Sequence, residues 1–203
     1  MEGQDPFDAL CQSLKRAIAA LRDAQVPYAL AGSLASWARG GPQPQNDIDL
    51  MVPPSDAEAA LGALAGAGMR REQPPEEWLF KAWDGEVMID LIFQPAGHDS
   101  SDAVIGRAET LTVLGMATSV ITLEDLLSTK LNAMDEHSLD YRAVLGIARS
   151  LREQINWSRL RSLTSDSPYA KAFFTLVEEL GVAPRAAGAL PAPTNVRVVS
   201  PSG

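Results

Sequence analysis

The alternating segment Asp47-Ile48-Asp49-Leu50 constrains the fold of this chain more than any other feature. Successive side chains of a β-strand point to opposite faces of the sheet, so Asp47 and Asp49 share one face while Ile48 and Leu50 share the other. A strand that buries the apolar pair in a core therefore holds two carboxylates side by side on its second face. The segment predicts a sheet with one apolar face and one carboxylate face.

The apolar pattern predicts further helices and strands on both sides of this strand. Helices are expected over 6–24, 34–39 and from a cap at 55 or 56 through 67, and strands over 28–31, 47–52, 78–83 and 87–93. The last two strands are separated by Asp84-Gly85, which is typical of a two-residue hairpin turn. Strands interleaved with helices predict a layered α+β fold.

The pattern changes near Leu123, where helical spacing of leucine, valine and isoleucine continues to about Leu180. After Gly181 the sequence is rich in alanine, proline, glycine and serine, a composition that buries little apolar surface. We therefore predict a core over 1–120, a helical module over 121–182 and a flexible tail over 183–203.

Composition excludes several classes of protein. Of 203 residues 46% are hydrophobic and 21% charged, as in globular proteins, and the formal net charge of −9 opposes broad binding to nucleic acid or anionic lipid. Two histidines and one cysteine argue against a zinc site. With no internal disulfide available to Cys11 and no apolar run near the roughly 20 residues that cross a bilayer, we expect a cytoplasmic protein without membrane contact.

Clustered carboxylates are the residues that phosphoryl and nucleotidyl transfer require, because catalysis rests on positioning and on metal ions that neutralise phosphate oxygens. Asp47 and Asp49 are placed to bridge two Mg²⁺ ions. Asp90 lies inside the apolar run 87–93, where burying an unpaired carboxylate costs several kcal/mol. It is the candidate third carboxylate, either as a metal ligand or as the base that deprotonates an acceptor hydroxyl.

Gly32-Ser33 stands where an apolar strand runs into a helix, which is a common place for a nucleotide's phosphates. Glycine there would let a phosphate approach the backbone, and Arg39 could reach the same cleft. A lone Gly-Ser is usually a turn, and a lone Asp-x-Asp is common on exposed strands. When strand, Gly-Ser, helix, Asp-x-Asp and a later buried aspartate follow one another in this order, the pattern favours a functional site over unrelated structural features.

The segment from Ala31 to Val52 resembles the signature of the polymerase-beta-like nucleotidyltransferase superfamily, with Asp90 in the place of its third acidic residue. The resemblance implies a short mixed sheet flanked by helices, followed by a helical domain that closes over the nucleotide. It also implies an enzyme that uses Mg²⁺ to move a nucleotide from an NTP to an acceptor.

The segments 123–133 and 137–141 look like the corresponding region of AbiEii-like, toxin-type nucleotidyltransferases. That resemblance implies that Lys130 contacts the NTP phosphates and that Asp140 points into the cleft as an acceptor-side carboxylate or proton acceptor. Without it, Lys130 would be a solvated helix residue and Asp140 the partner of a nearby arginine. The chain departs from that family at Gln45, where a serine or threonine is frequent.

Three functions remain open at this point. The first is addition of nucleotides to RNA, such as the 3′ end of tRNA, by an AbiEii-like toxin with a cognate antitoxin protein as partner. The second is adenylylation of a small hydroxylated molecule such as an aminoglycoside or lincosamide, which suits the negative net charge. The third is a fold that binds a nucleotide or a protein partner without catalysis.

Overall fold

We describe the protein from a computed structural model, which covers residues 5–44, 47–72, 74–97 and 99–185. Gln45 and Asn46, which precede the first predicted carboxylate, lie outside these ranges. So does the predicted tail beyond residue 185. Ala183 is buried, and its N–H donates to the carbonyl of Val177 at 3.1 Å.

Helices make up much of the described chain. They are α1 Pro6–Asp23, α2 Gly32–Ala38, α3 Ala57–Gly66, α4 Ser101–Gly106, α5 Leu123–Asn132, α6 Tyr141–Leu151, α7 Trp157–Leu163 and α8 Pro168–Glu179. Side chains of Asp5, Thr122 and Ser167 accept from backbone N–H groups in the first turns of α1, α5 and α8. These caps satisfy donors that a helix leaves unpaired at its start.

The strands form one mixed sheet. Within the described residues they are β1 Ala29–Leu30, β2 Asp47–Met51, β3 Arg70–Glu72, β4 Leu79–Asp84, β5 Val87–Ile92, β6 Glu109–Val113 and β7 Met116–Val120, in the order β3-β4-β5-β2-β1-β7-β6. The pairs β2–β5 and β1–β7 are parallel and the other neighbours antiparallel. The prediction of an α+β fold with a mixed sheet flanked by helices is confirmed.

One face of the sheet is packed against α1 and α3. The side chains that β2 and β5 direct to this face are Ile48, Leu50, Ile89 and Leu91, and each is 0% exposed. The strict alternation in the sequence therefore places the apolar pair of β2 in the core and its two aspartates on the opposite face.

Helices α5 to α8 follow the sheet and pack on one another. Helix α5 also contacts α2, and the side-chain amide of Gln154 donates to the carbonyl of Arg39 at 3.2 Å, which ties the end of α6 to the end of α2. The helices expected after Leu123 are confirmed as elements. None of the helices in the described residues is long and apolar enough to cross a membrane.

Sequence patterns missed four elements: β3, α4, β6 and β7. They also placed the turn of the β4–β5 hairpin one residue early, at Asp84-Gly85, because Asp84 pairs with Val87 and leaves Gly85 and Glu86 as the loop. Asp84 stays in the strand because its carboxylate accepts hydrogen bonds from Arg16 and Ser13 of α1. The division of the chain into core, helical module and tail stays a prediction.

Candidate active site

Three aspartates meet on the face of the sheet that α1 and α3 leave uncovered. In the parallel register of β2 and β5, Asp49 lies directly beside Asp90, and Asp47 lies beside Met88. Residues paired in register point to the same face of a sheet. We call this surface, with Asp47, Asp49 and Asp90 on it, the carboxylate face.

The side chain of Asp49 lies so close to position 32 that only glycine fits there. A Cβ atom at position 32 would lie 1.7 Å from Oδ2 of Asp49, and the backbone there has a φ of +56°, which side chains rarely adopt. The sequence suggested that glycine makes room for a phosphate, whereas the adjacent space holds the carboxylate. The N–H of Ala31 also donates to the carbonyl of Asp49 at 2.9 Å, so β1 and β2 fix this contact.

The carboxylates are electrostatically crowded. Burial raises the pKa of Asp49 to about 7, and the charges of Asp47 and Asp90 act in the same direction, while Lys130 and Lys81 oppose them. Burial also raises the pKa of Asp90, against a hydrogen bond from Lys81. Oδ1 of Asp47 is buried without a hydrogen-bond partner among the described residues. A cation or a donor at this surface would relieve all three groups.

Lys81 is a residue of this site that the sequence reasoning missed. It lies opposite Asp90 in the β4–β5 register, and its Nζ donates to Oδ1 of Asp90 at 2.8 Å. Both side chains are largely buried, at 20% and 13% exposure. The ammonium group holds one oxygen of Asp90 and fixes the direction of the carboxylate.

A cavity of about 380 Å³ opens beside the carboxylate face, on the side of α2, α5 and α6. Among the predicted site residues its lining includes Ser33, Asp47, Asp49, Lys130 and Asp140. It also includes Ser36, Pro42, Gln43, Arg142, Ala143, Gly146 and Ile147, which the sequence reasoning did not assign to a site. The hydroxyls of both serines are buried without hydrogen-bond partners among the described residues.

Asp140 and Arg39 have partners of their own. Oδ1 of Asp140 caps α6 by accepting from the backbone N–H groups of Arg142 and Ala143, so this lining residue also has a structural task. The guanidinium of Arg39 donates to Glu109 at 2.7 Å and to the carbonyl of Ile121 at 2.8 Å. Arg39 does not line the cavity, and its predicted contact with a phosphate would require these bonds to break.

The donor set fits Mg²⁺ through Asp47 and Asp49. In the part of the chain described here, no group of three or more His, Cys, Asp or Glu side chains is arranged as a metal site. Mg²⁺ binds through one or two carboxylates together with waters and substrate phosphates. The unpaired oxygen of Asp47 beside the crowded Asp49 meets that requirement. A ligand role for Asp90 stays a prediction.

Similar folds occur among solved nucleotidyltransferases. The solution structure of the antibiotic-resistance factor ANT(2″)-Ia matches this chain with a TM-score of 0.60 and 14% sequence identity. The match covers 84% of this chain and 96% of that one. The crystal structure of ANT(2″)-Ia in complex with adenylyl-2″-tobramycin matches with a TM-score of 0.58 and 15% identity, and the match covers 80% of this chain and 98% of that one. A Thermotoga maritima protein proposed to be a nucleotidyltransferase matches with a TM-score of 0.50 and 14% identity, and the match covers 59% of this chain and 81% of that one.

No protein-family model matches this sequence, and comparison with curated protein sequences finds no match. At identities of 14–15% the structural likeness shows the fold alone. The chain therefore has the nucleotidyltransferase fold, in agreement with the resemblance of its Ala31 to Val52 segment.

Proposed function

We propose that this chain is an Mg²⁺-dependent nucleotidyltransferase of the polymerase-beta-like superfamily, which transfers NMP from an NTP to a hydroxyl of a small, positively charged molecule. One observation carries the proposal: Ser33, Asp47, Asp49 and Lys130 line a single cavity, and Asp90 lies beside Asp49 on the neighbouring strand. The candidate phosphate-binding groups and metal-binding carboxylates thus share one cavity, and the candidate base lies on the strand next to it.

The phosphate end of the NTP belongs between Ser33 and Lys130. The Ser33 hydroxyl has no partner among the described residues and can donate to a phosphate oxygen. Lys130, which lines the same cavity from α5, supplies positive charge. Asp47 and Asp49 would hold Mg²⁺ together with the phosphates, and the ion would neutralise the phosphate oxygens as charge develops on them.

The acceptor hydroxyl belongs at Asp90. Its oxygen attacks the α-phosphorus while its proton moves to the Asp90 carboxylate, and the bond from the α-phosphorus to the bridging oxygen of the β-phosphate breaks to release pyrophosphate. Lys81 holds Oδ1 of Asp90 at 2.8 Å, which directs the carboxylate and leaves Oδ2 to face the acceptor.

Charge supports a cationic acceptor. The chain carries a net charge of −9, and Glu76 is close enough to Asp90 to act on its pKa. A polyanion would be repelled by such a surface, whereas an amino sugar would be attracted. ANT(2″)-Ia, a neighbour of which this chain covers 98%, was solved with an adenylylated tobramycin. We therefore place an aminoglycoside-like acceptor ahead of a lincosamide.

Addition of nucleotides to the 3′ end of tRNA, with an antitoxin as protein partner, is the second candidate. The specific observation in its favour is that Lys130 and Asp140, which the AbiEii-like resemblance implicates, both line the cavity. The negative net charge opposes RNA as the acceptor.

The test is transfer of label from each α-³²P-labelled NTP in the presence of Mg²⁺. Acceptors are a panel of aminoglycosides, lincomycin and total tRNA, each with and without EDTA. We expect label in an amino sugar, lost on addition of EDTA and in Asp47→Asn.

Label in tRNA alone would replace the proposed acceptor and favour the AbiEii-like function. NTP binding without transfer to any acceptor would favour a non-catalytic nucleotide-binding fold. Asp8→Asn, at an exposed position of α1, is the matched control for loss of a negative charge outside the cavity.

A further inference from the structure

The order of the strands determines the side of the site on which the leaving group departs. Strands β5, β2 and β1 are consecutive in the sheet, with Asp90 on β5 and both Asp47 and Asp49 on β2. In nucleotidyl transfer the attacking and leaving oxygens lie roughly in line on opposite sides of the α-phosphorus. An acceptor hydroxyl that approaches from Asp90 therefore directs the pyrophosphate away from β5, past the carboxylates of β2.

The cavity lies on that side of the carboxylates. Its walls come from β2 and from helices α2, α5 and α6, and Asp90 is not among the described residues that line it. A volume of about 380 Å³ is equivalent to about a dozen waters in the liquid, so a diphosphate group has room there.

Two cationic side chains line this cavity, Lys130 from α5 and Arg142 from α6. Lys130 is close enough to Asp49 to oppose the rise in its pKa that burial causes. Positive charge therefore reaches the cavity from two helices, while the metal-binding carboxylates reach it from the sheet.

Arg142 has no structural partner for its guanidinium. Its backbone N–H donates to Oδ1 of Asp140 at 3.1 Å, but its side chain makes no hydrogen bond or ion pair with the described residues. Arg39, by contrast, uses its guanidinium to bind Glu109 and the carbonyl of Ile121. A guanidinium offers a planar fork of donors that matches phosphate oxygens. The fork of Arg142 is thus available to a ligand in the cavity.

We infer that this cavity holds the pyrophosphate part of the NTP, and that Arg142 binds its oxygens together with Lys130. The inference rests on the proposed nucleotidyl transfer and adds a residue that stabilises the leaving group. Negative charge builds on the bridging oxygen of the β-phosphate as its bond to the α-phosphorus breaks. The guanidinium and the ammonium group stabilise that charge, and they hold pyrophosphate until it is released.

The test is calorimetric titration of the protein with Mg·pyrophosphate. Arg142→Met removes the charge and the fork at an exposed position but keeps a good helix former, and it should weaken binding about tenfold or more. Arg142→Lys keeps the charge without the fork, so its affinity should lie between those of the wild type and Arg142→Met.

Arg159→Met is the matched control. Arg159 is an exposed arginine in the first turn of α7, it does not line the cavity, and its guanidinium also has no partner among the described residues. Its loss should leave the dissociation constant for Mg·pyrophosphate at the wild-type value.

Wild-type affinity in Arg142→Met, or an equal loss in Arg159→Met, would overturn the inference. A wild-type protein that transfers nucleotide but does not bind Mg·pyrophosphate would also overturn it, while the proposed function would stand. Failure of the wild-type protein to bind either pyrophosphate or any NTP would refute the proposed function, and the inference with it.

Discussion

Strands β2 and β5 carry two opposite surfaces on the same backbone. On one face Ile48, Leu50, Ile89 and Leu91 are completely buried against α1 and α3. On the other, the three aspartates crowd one another, and burial raises the pKa of two of them. The two sets alternate residue by residue.

The difference separates stability from function. Burial of the apolar face stabilises the folded state, whereas the crowded carboxylates destabilise it until a cation or substrate binds. A substitution on the apolar face should therefore reduce the free energy of unfolding and spare the chemistry. A substitution of Asp47 or Asp49 on the carboxylate face should reduce activity and spare stability.

The largest effect is expected for Asp47→Asn and Asp49→Asn. Each removes a charge without removing volume, so kcat/KM for transfer should fall by roughly 10³-fold. The melting temperature without metal should not fall, because a repulsive charge is lost. Steady-state kinetics and thermal melts measure both, with Asp8→Asn at an exposed position of α1 as the control. Normal turnover in either variant would remove that aspartate from the site.

Leu50→Ala tests the apolar face with the next largest effect. Loss of a fully buried leucine should lower the free energy of unfolding by about 2–5 kcal/mol. Denaturant unfolding measures the loss, and kcat/KM per folded molecule should stay within about threefold of wild type. A well-folded but inactive Leu50→Ala protein would show that the two faces are not independent.

How far the sequence leads can be judged from the same two strands. Alternation alone predicted that Asp47 and Asp49 share a face, because a period of two fixes side-chain direction before any tertiary contact forms. It also predicted Asp90 on a second strand. It could not pair Lys81 with Asp90, since a loop at Asp84-Gly85 would have placed Leu79 there. Contacts of Asp84 with α1 set the register instead.

Other parts depend on contacts between distant segments. β6 and β7 alternate weakly and have a turn at Leu114 and Gly115, both with positive φ, so no strong local pattern marks them. Ser36 and Gly146 are ordinary helix residues in the sequence. Only the packing of α6 beside the 41–44 loop brings them to one cavity. Local patterns therefore predicted the carboxylates better than the walls around them.

Asp90→Asn sharpens the comparison within the carboxylate face. If Asp90 is the base, kcat should fall about 100-fold while the dissociation constant for Mg·NTP stays unchanged. Loss of its ion pair with Lys81 should cost about 1 kcal/mol of stability. Kinetics, calorimetry and melts are needed together. A destabilised but fully active variant would show that Asp90 is a structural partner of Lys81 and not a catalytic carboxylate.

The smallest effect is expected for the ion pair on the other face of the same hairpin. Arg16 of α1 donates to Asp84 of β4 at 2.6 Å, and its side chain is 50% exposed. Exposed pairs contribute little, so Arg16→Met should lower the free energy of unfolding by about 1 kcal/mol or less and leave kcat/KM unchanged.

Lys81→Met removes the cation of the pair on the carboxylate face, and it should reduce kcat because Asp90 loses the group that directs it. Melts and steady-state kinetics on both variants compare the two pairs directly. Because both cations bind carboxylates of the β4–β5 hairpin, equal losses of kcat in the two variants would mean that activity follows the integrity of the hairpin. A loss confined to Lys81→Met would assign that pair to the chemistry.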